Sequence, residues 1–470
     1  MAEFQILDGR IITPESITFE LKKCEDKLSR DFWPTYSAFA NTFGGTIILG
    51  IDDETREITG VKNPEKIIKD LWDLLNDPNK VNINLLADKD VQVRDIDGRT
   101  IIIVRVPRAE RRKRPVFING TMENGTYKRN GEGDYHCSSE ELTSMLRERS
   151  DESSDSKVLN DVYMDSLDQN SVKEYRKLLT NRNPAHPWNK KDDTDFLRLI
   201  GAASKTIDGS MHPTAAGLLM FGYDAIILSE FPNYHLDYLE FADGSNKWTY
   251  RISTGTGEFT GNLFEFFTSV SSRLSFLNKK SKDLEGMVRN DDNQAIRAQR
   301  ELLANAVMHA DYLGLGGIRA EWSPSRFTIR NPGDLRIPLK KMFEGGMSDP
   351  RNPHIAVMMT MIGMAERAGS GVSSIVDCCK AMSIPLPEYI ETSDPETVTV
   401  TLRLELRDSG DKIEDRILSL MKTDPSISVD KISQLLGMER NRTYRTIKKM
   451  ADNGLVKRTG GTRGRWIVES

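Results

Sequence analysis

At 470 residues the chain has the length of about three domains. With 38% hydrophobic and 29% charged residues it reads as globular, and no apolar run approaches the ~20 residues of a membrane helix. A net charge of −5 argues against a uniformly basic coat, and four cysteines without C-x-x-C spacing (Cys24, Cys137, Cys378, Cys379) argue against structural zinc. The opening M-A-E-F-Q-I-L-D lacks the basic-then-apolar pattern of a secretory signal, so a cytoplasmic protein with no membrane partner is expected.

The first strand signal is I-T-F-E-L-K, bracketed by Glu15 and Glu20. Trp33 to Thr42 predicts a helix. A glycine turn then feeds T-I-I-L-G-I, which ends in Asp52 and Asp53. Asn63 to Leu75 predicts a second helix. V-Q-V-R-D-I and T-I-I-I-V-R-V follow as strands, with a hairpin turn at Asp97-Gly98. This is an α+β layout with a mixed sheet over about residues 1–150. Three acids delivered by two strand ends, Glu15, Glu20 and Asp53, suit one hard cation such as Mg2+ or Mn2+. Solvated strand-end charge is the plain alternative. Lys22, Lys23, the run Arg108 to Arg114, Lys128 and Arg129 offer a basic surface for a phosphate backbone, and the plain reading of the run is a solvated loop.

The motifs E-S-x-x-x-E-L-K, S-A-F-A-N-T-x-G-G and G-I-D-D occur in order, followed by T-Y-K-R-N-G-E-G at Thr126 to Gly133. Together they resemble the Schlafen/AlbA-like nucleic-acid-binding domain. In Schlafen RNases two glutamates five residues apart and an aspartate after the glycine strand form a catalytic acid cluster. The resemblance therefore implies catalytic and metal-binding roles for Glu15, Glu20 and Asp53. Bacterial relatives described only as binding proteins share the same acids.

The polar run Ser150 to Lys157 predicts a linker. A second domain is expected over about 158–408. P-T-A-A-G-L-L-M-F-G (Pro213 to Gly222) reads as a buried segment, H-L-D-Y-L-E-F, I-R-A-E-W-S and R-F-T-I-R-N as strands, and Ala295 to His309 and His354 to Ala368 as helices. His186, before Pro187, reads as a loop residue. In E-L-L-A-N-A-V-M-H-A-D-Y, Glu301, Asn305 and His309 recur every four residues and share one helix face. An Asn and a Glu one turn apart suit a magnesium ion and a water beside a nucleotide phosphate. Glycines at 333, 369 and 371 let backbone amides approach a base or phosphate. With I-R-N-P-G-D-L, R-N-P-H-I-A and E-R-A-G-S-G-V, this helix resembles the GHKL ATPase group, and more closely the divergent ATPase-like domain that follows AlbA-like domains in bacterial proteins. The resemblance implies a GHKL-like α/β sandwich that binds ATP or a related nucleotide through Glu301, Asn305, His309, Gly333, Asp334, Gly369 and Gly371, with Asn305 on the metal. The sequence departs from the group where Asn331-Pro332-Gly333-Asp334 replaces the adenine motif Asp-x-Gly-x-Gly. That puts adenine specificity and hydrolysis in question.

The last domain, about 409–470, reads as a small winged helix-turn-helix. S-V-D-K-I-S-Q-L-L-G-M is a short helix with Ser428 as N-cap, and R-N-R-T-Y-R-T-I-K-K-M-A-D-N-G-L is a longer basic helix. A glycine-tipped hairpin follows. Between 439 and 466 nine basic residues stand against two acids. Arg440, Arg442, Tyr444, Arg445, Lys448 and Lys449 on the helix, with Arg463 and Arg465 on the hairpin, are the candidate DNA contacts. A dimerisation module with a solvated basic face is the plain alternative.

The expectation is a multidomain α+β protein that binds nucleic acid: a nucleotide-responsive, DNA-binding transcriptional regulator, homodimeric because DNA half-sites are paired. A metal-dependent endoribonuclease acting on tRNA or other structured RNA in stress or phage defence is the alternative. A scaffold with decayed sites is the third reading.

Overall fold

The computed structural model describes residues 4–7, 9–242, 244–283, 294–366, 369–404, 417–418, 420–421, 427–436, 440–452, 455–459 and 465–468. It forms two compact units: Met1–Cys379 with Leu386–Leu402, and Lys380–Pro385 with Arg403–Ser470. The first two expected domains thus lie within one unit.

The N-terminal part of the first unit is a four-stranded mixed sheet. Its strands are β1 (Phe19–Lys22), β2 (Gly45–Leu49), β3 (Val91–Ile96) and β4 (Arg99–Val106), ordered β1-β2-β4-β3. β1 and β2 run parallel, and the other pairs are antiparallel. Side chains alternate across a strand. Ile47, Leu49, Ile102, Val104 and Val106 therefore join one core, and Ile48, Ile101 and Ile103 another. The first core is covered by α1 (Phe32–Asn41) and α2 (Pro64–Leu75). α2 starts where Asn63 accepts a hydrogen bond from the Lys66 amide at 3.1 Å and Pro64 fills a first-turn position that needs no N–H. It buries Ile67, Leu71 and Leu75, one residue per turn. Truncating Leu71 to alanine costs about 2–5 kcal/mol. The Asp97-Gly98 turn forms as expected, with both residues at positive φ (52° and 78°). A hairpin, β5 (Tyr127–Asn130) and β6 (Gly133–His136), leads into α3 (Ser139–Arg149), which opens on a reciprocal Ser138–Glu141 cap.

The expected linker is tied down. Asp155 is 1% exposed and accepts a hydrogen bond from the Ile355 amide at 3.0 Å. Polar side chains that fasten a loop read the same in sequence as polar side chains in solvent. Further on come α4 (Gln169–Arg182) and the fully buried α5 (Ala215–Phe221). A six-stranded sheet follows, built from β7 (Leu236–Phe241), β8 (Trp248–Ser253), β9 (Ile318–Ser323), β10 (Arg326–Pro332), β11 (Glu388–Ser393) and β12 (Glu396–Arg403). Its order is β8-β7-β9-β10-β12-β11. α6 (Leu263–Asp283) and α7 (Gln294–His309) pack on each other, and α7 also packs on β10. α8 (Pro353–Met361) stops short of the expected Ala368 because Gly363 takes a positive φ of 75°. α9 (Gly371–Met382) returns toward β11.

In the second unit, α10 (Val429–Leu436) is capped by Ser428, which accepts from the Lys431 amide at 3.2 Å. α11 (Arg440–Asp452) and the antiparallel pair β13 (Val456–Thr459) and β14 (Arg465–Val468) complete it. Ile417, Met421, Ile432, Ile447, Met450, Val456 and Trp466 form its core. The Trp466 indole donates to the Ile427 carbonyl at 2.9 Å.

Candidate functional site

A cavity of about 740 Å³ opens between α7, α8, the end of α4 and the sheet. The four-residue spacing on α7 works as expected: Glu301, Asn305 and His309 all line it, with Leu302 and Ala306 between them. Asp334, Gly369 and Gly371 line it too. Ile329 of β10, Tyr389 of β11, and Val398 and Val400 of β12 make an apolar floor. Gly333 is not among the lining residues; its amide donates to the Glu396 carbonyl at 2.9 Å. A Cβ on Gly371 would fall 2.2 Å from Glu301 Oε1, so any larger residue there would push the Glu301 carboxylate aside.

The polar groups in the cavity are unusual in charge state. Burial pushes the Glu301 carboxyl up to about 7, against the pull of the Glu366 amide that donates to it. Asn305 Nδ2 is buried without a hydrogen-bond partner, which leaves a donor for a ligand. Burial, reinforced by Arg351 and Arg336, pushes His309 down to about 4, so the ring is neutral at physiological pH.

Asp334, expected among the nucleotide-binding residues, lines the cavity with both carboxylate oxygens already paired. Its Oδ2 pairs with Arg108 at 2.8 Å and Arg114 at 2.7 Å, and its Oδ1 with Arg351 at 2.9 Å. Burial alone would raise this carboxyl, but Arg114, Arg108 and Arg351 together hold it well below the usual carboxylate range. The contacts spread outward. Arg108 also pairs with Glu391 at 2.9 Å, Arg351 and Arg336 with Glu148 at 2.6 and 2.8 Å, and Arg111 with Asp349 at 2.8 Å. Of the basic run expected to grip nucleic acid or lie in solvent, Arg108, Arg111 and Arg114 instead bind acids of the module that holds the cavity.

The N-terminal acids divide. Glu15 accepts from the Leu21 amide at 2.9 Å, and burial raises its carboxyl despite that bond. Glu20 is buried and held by Lys22 on one oxygen and Arg129 on the other. Arg129 is 0% exposed, pairs also with Asp134 at 2.9 Å, and lies over the Phe39 ring at 5.2 Å. Lys22 and Arg129, expected at a phosphate backbone, are therefore both committed to Glu20. Asp53 is exposed. Among the described residues no three His, Cys, Asp or Glu side chains form a group able to hold a metal ion. With the Glu20 oxygens taken by two cations, this donor set does not fit a metal centre.

On the winged helix, Arg440, Tyr444, Arg445, Lys448 and Lys449 are all exposed on α11. Arg440 pairs with Asp430 of α10 at the surface. The Arg442 and Arg465 side chains and the whole of Arg463 lie outside the described residues. No described helix is long and apolar enough to cross a membrane.

Residues 15–138 match the Schlafen AlbA_2 family model. Residues 316–402 match the recG C-terminal model HATPase_c_4, and 411–457 the winged helix-turn-helix DNA-binding model. The chain carries these three modules in that order. Residues 143–237 match a domain of unknown function, DUF8451. Glu301, Asn305 and His309 thus fall between two matched segments. Among solved structures, the DIP2311 protein from Corynebacterium diphtheriae aligns at 17% identity and TM-score 0.41, over 99% of this chain and 82% of that one. The N-terminal domain of a RecG-related protein from Nitrosomonas europaea aligns at 27% identity and TM-score 0.21, over 27% of this chain and 86% of that one. A comparison with curated proteins returns no match. The Schlafen AlbA_2 and winged-helix modules make this a nucleic-acid-binding protein.

Arg182 and Asn183, which the sequence does not single out, and His186, expected only as a loop residue, also line the cavity. No local pattern links the end of α4 to α7, more than a hundred residues later.

Proposed function

We propose that the protein is a nucleotide-responsive, DNA-binding transcriptional regulator acting as a homodimer. The observation that carries this reading is the cavity of about 740 Å³, lined by Glu301, Asn305, Gly369 and Gly371, in a chain that also carries the exposed basic helix of a winged-helix module. A cavity of this size suits a small molecule such as ATP. To regulate, the nucleotide must bind one state of the protein more tightly than another. The test is fluorescence anisotropy of the purified full chain on DNA from upstream of its own gene, with and without 1 mM Mg-ATP. Coupling of about 1–3 kcal/mol, a 5- to 150-fold change in DNA affinity, is the expected range. Identical affinities under both conditions would defeat the regulator reading.

A further inference from the structure

We propose that Arg182, Asn183 and His186 form an anion-recognising lip on the cavity, so that its ligand sets a phosphate against the lip and an uncharged ring inside. This rests on the nucleotide reading above and says how the nucleotide lies.

The interior cannot hold the phosphate. Its floor is apolar (Ile329, Val398, Val400), and two of the acids that line it are Glu301 and Glu366. Of the cations in the lining, Arg336 is held by Glu148 at 2.8 Å and lies 3.6 Å from Asp349. His309 is neutral at physiological pH. Arg182 remains: it is exposed, and none of the acids among the described residues pairs with it. An arginine fork is well matched to phosphate oxygens.

The backbone is shaped around this side chain. Gly363 takes a positive φ of 75°, which favours glycine, and a Cβ built there would fall 1.7 Å from Arg182 Nη1, so the guanidinium lies directly on this glycine and would have to swing away from a larger residue. Two further polar groups come from the same turn of chain. His186 Nδ1 accepts from the Trp188 amide at 3.3 Å, which leaves Nε2 to serve as the donor. Asn183 adds its amide. Three donor groups thus sit within five residues at the end of α4, inside the segment that matches the domain of unknown function. Through the lip, that segment completes a site whose other walls come from α7 and the HATPase_c_4 module.

The test is calorimetric titration of the full chain with adenosine, AMP, ATP and inorganic phosphate. Wild type is expected to bind AMP and ATP at least tenfold more tightly than adenosine. Arg182→Ala is expected to erase that preference while keeping the adenosine affinity. Gly363→Ala, which displaces the guanidinium without removing its charge, is expected to weaken the preference in the same direction. An Arg182→Ala protein that keeps the wild-type preference overturns the lip. So does a wild type that binds adenosine and ATP equally, although the nucleotide reading then stands. A wild type that binds phosphate alone overturns the placement of the ring. If it binds none of the four, the nucleotide reading and the lip fall together.

Discussion

Arg114 and Asp334 meet at 2.7 Å, each less than 10% exposed, where the Schlafen AlbA_2 module packs on the module that carries the cavity. Two more guanidiniums, Arg108 and Arg351, share the same carboxylate. Removing one member of such a buried group strands the others. Asp334→Asn is expected to lower stability by about 3–5 kcal/mol, read as a shift of the urea midpoint at pH 7. A midpoint equal to wild type would mean that water already solvates the three guanidiniums.

Arg129 offers a sharper contrast, because the two roles open to it predict different experiments. As a buried partner of Glu20 and Asp134, its replacement by alanine should cost about 3–5 kcal/mol of stability. As a phosphate contact, the same change would leave stability alone and lower the salt dependence of nucleic-acid binding. The structure expects the first result, and thermal unfolding beside a binding isotherm distinguishes them.

Glu301 gives a pH signature. Its folded value of about 7 lies above the ordinary 4.5. Between those values the folded state binds the proton more tightly than the unfolded state, so stability falls as pH rises from 4.5 to 7. The penalty is fully in place above 7 and amounts to at most about 3 kcal/mol. Glu301→Gln should therefore match wild type near pH 4.5 and exceed it at pH 8. Parallel stability curves across that window would count against a buried, readily protonated carboxyl.

Gly371→Ala should displace the Glu301 carboxylate within the cavity, since the added methyl would meet Glu301 Oε1 at 2.2 Å. At least a tenfold loss of ATP affinity is expected by calorimetry, with the near-UV circular dichroism spectrum unchanged. Unaltered affinity would place the nucleotide elsewhere.

On α11, Lys448 and Lys449 are exposed and basic. If each neutralises one phosphate, the double alanine variant should reduce the slope of log affinity against log salt by about 2. The wild-type slope in the variant would take this helix face off the DNA.

Much of the fold is legible in the sequence because local pattern decides it. Ile101 to Val106 alternate between two cores, the Asp97-Gly98 pair makes its turn, and Ser428 caps its helix. The row Glu301, Asn305, His309 likewise reaches one cavity wall through helix geometry alone. The errors share a cause. Asp334 lies 226 residues from Arg108, and a charge run has the same composition whether water or another module neutralises it. Arg129 misleads for the same reason: its burial depends on a glutamate from β1 and an aspartate from its own hairpin, neither of which a charge count can pair with it. His186 is indeed a loop residue, but that loop forms part of a cavity wall.

The seam around Asp334 bears on how this protein can be dissected. Residue 150 looks like a natural place to divide the chain, and a fragment beginning there would be a convenient reagent for studying the cavity. Such a fragment would lose Arg108 and Arg114, which neutralise Asp334, and Glu148, which neutralises Arg336 and Arg351. Two arginines and an aspartate would be left facing one another at a newly wetted surface beside the cavity. Measurements on that fragment would report its damage, so a reagent for studying the cavity has to keep the first 150 residues.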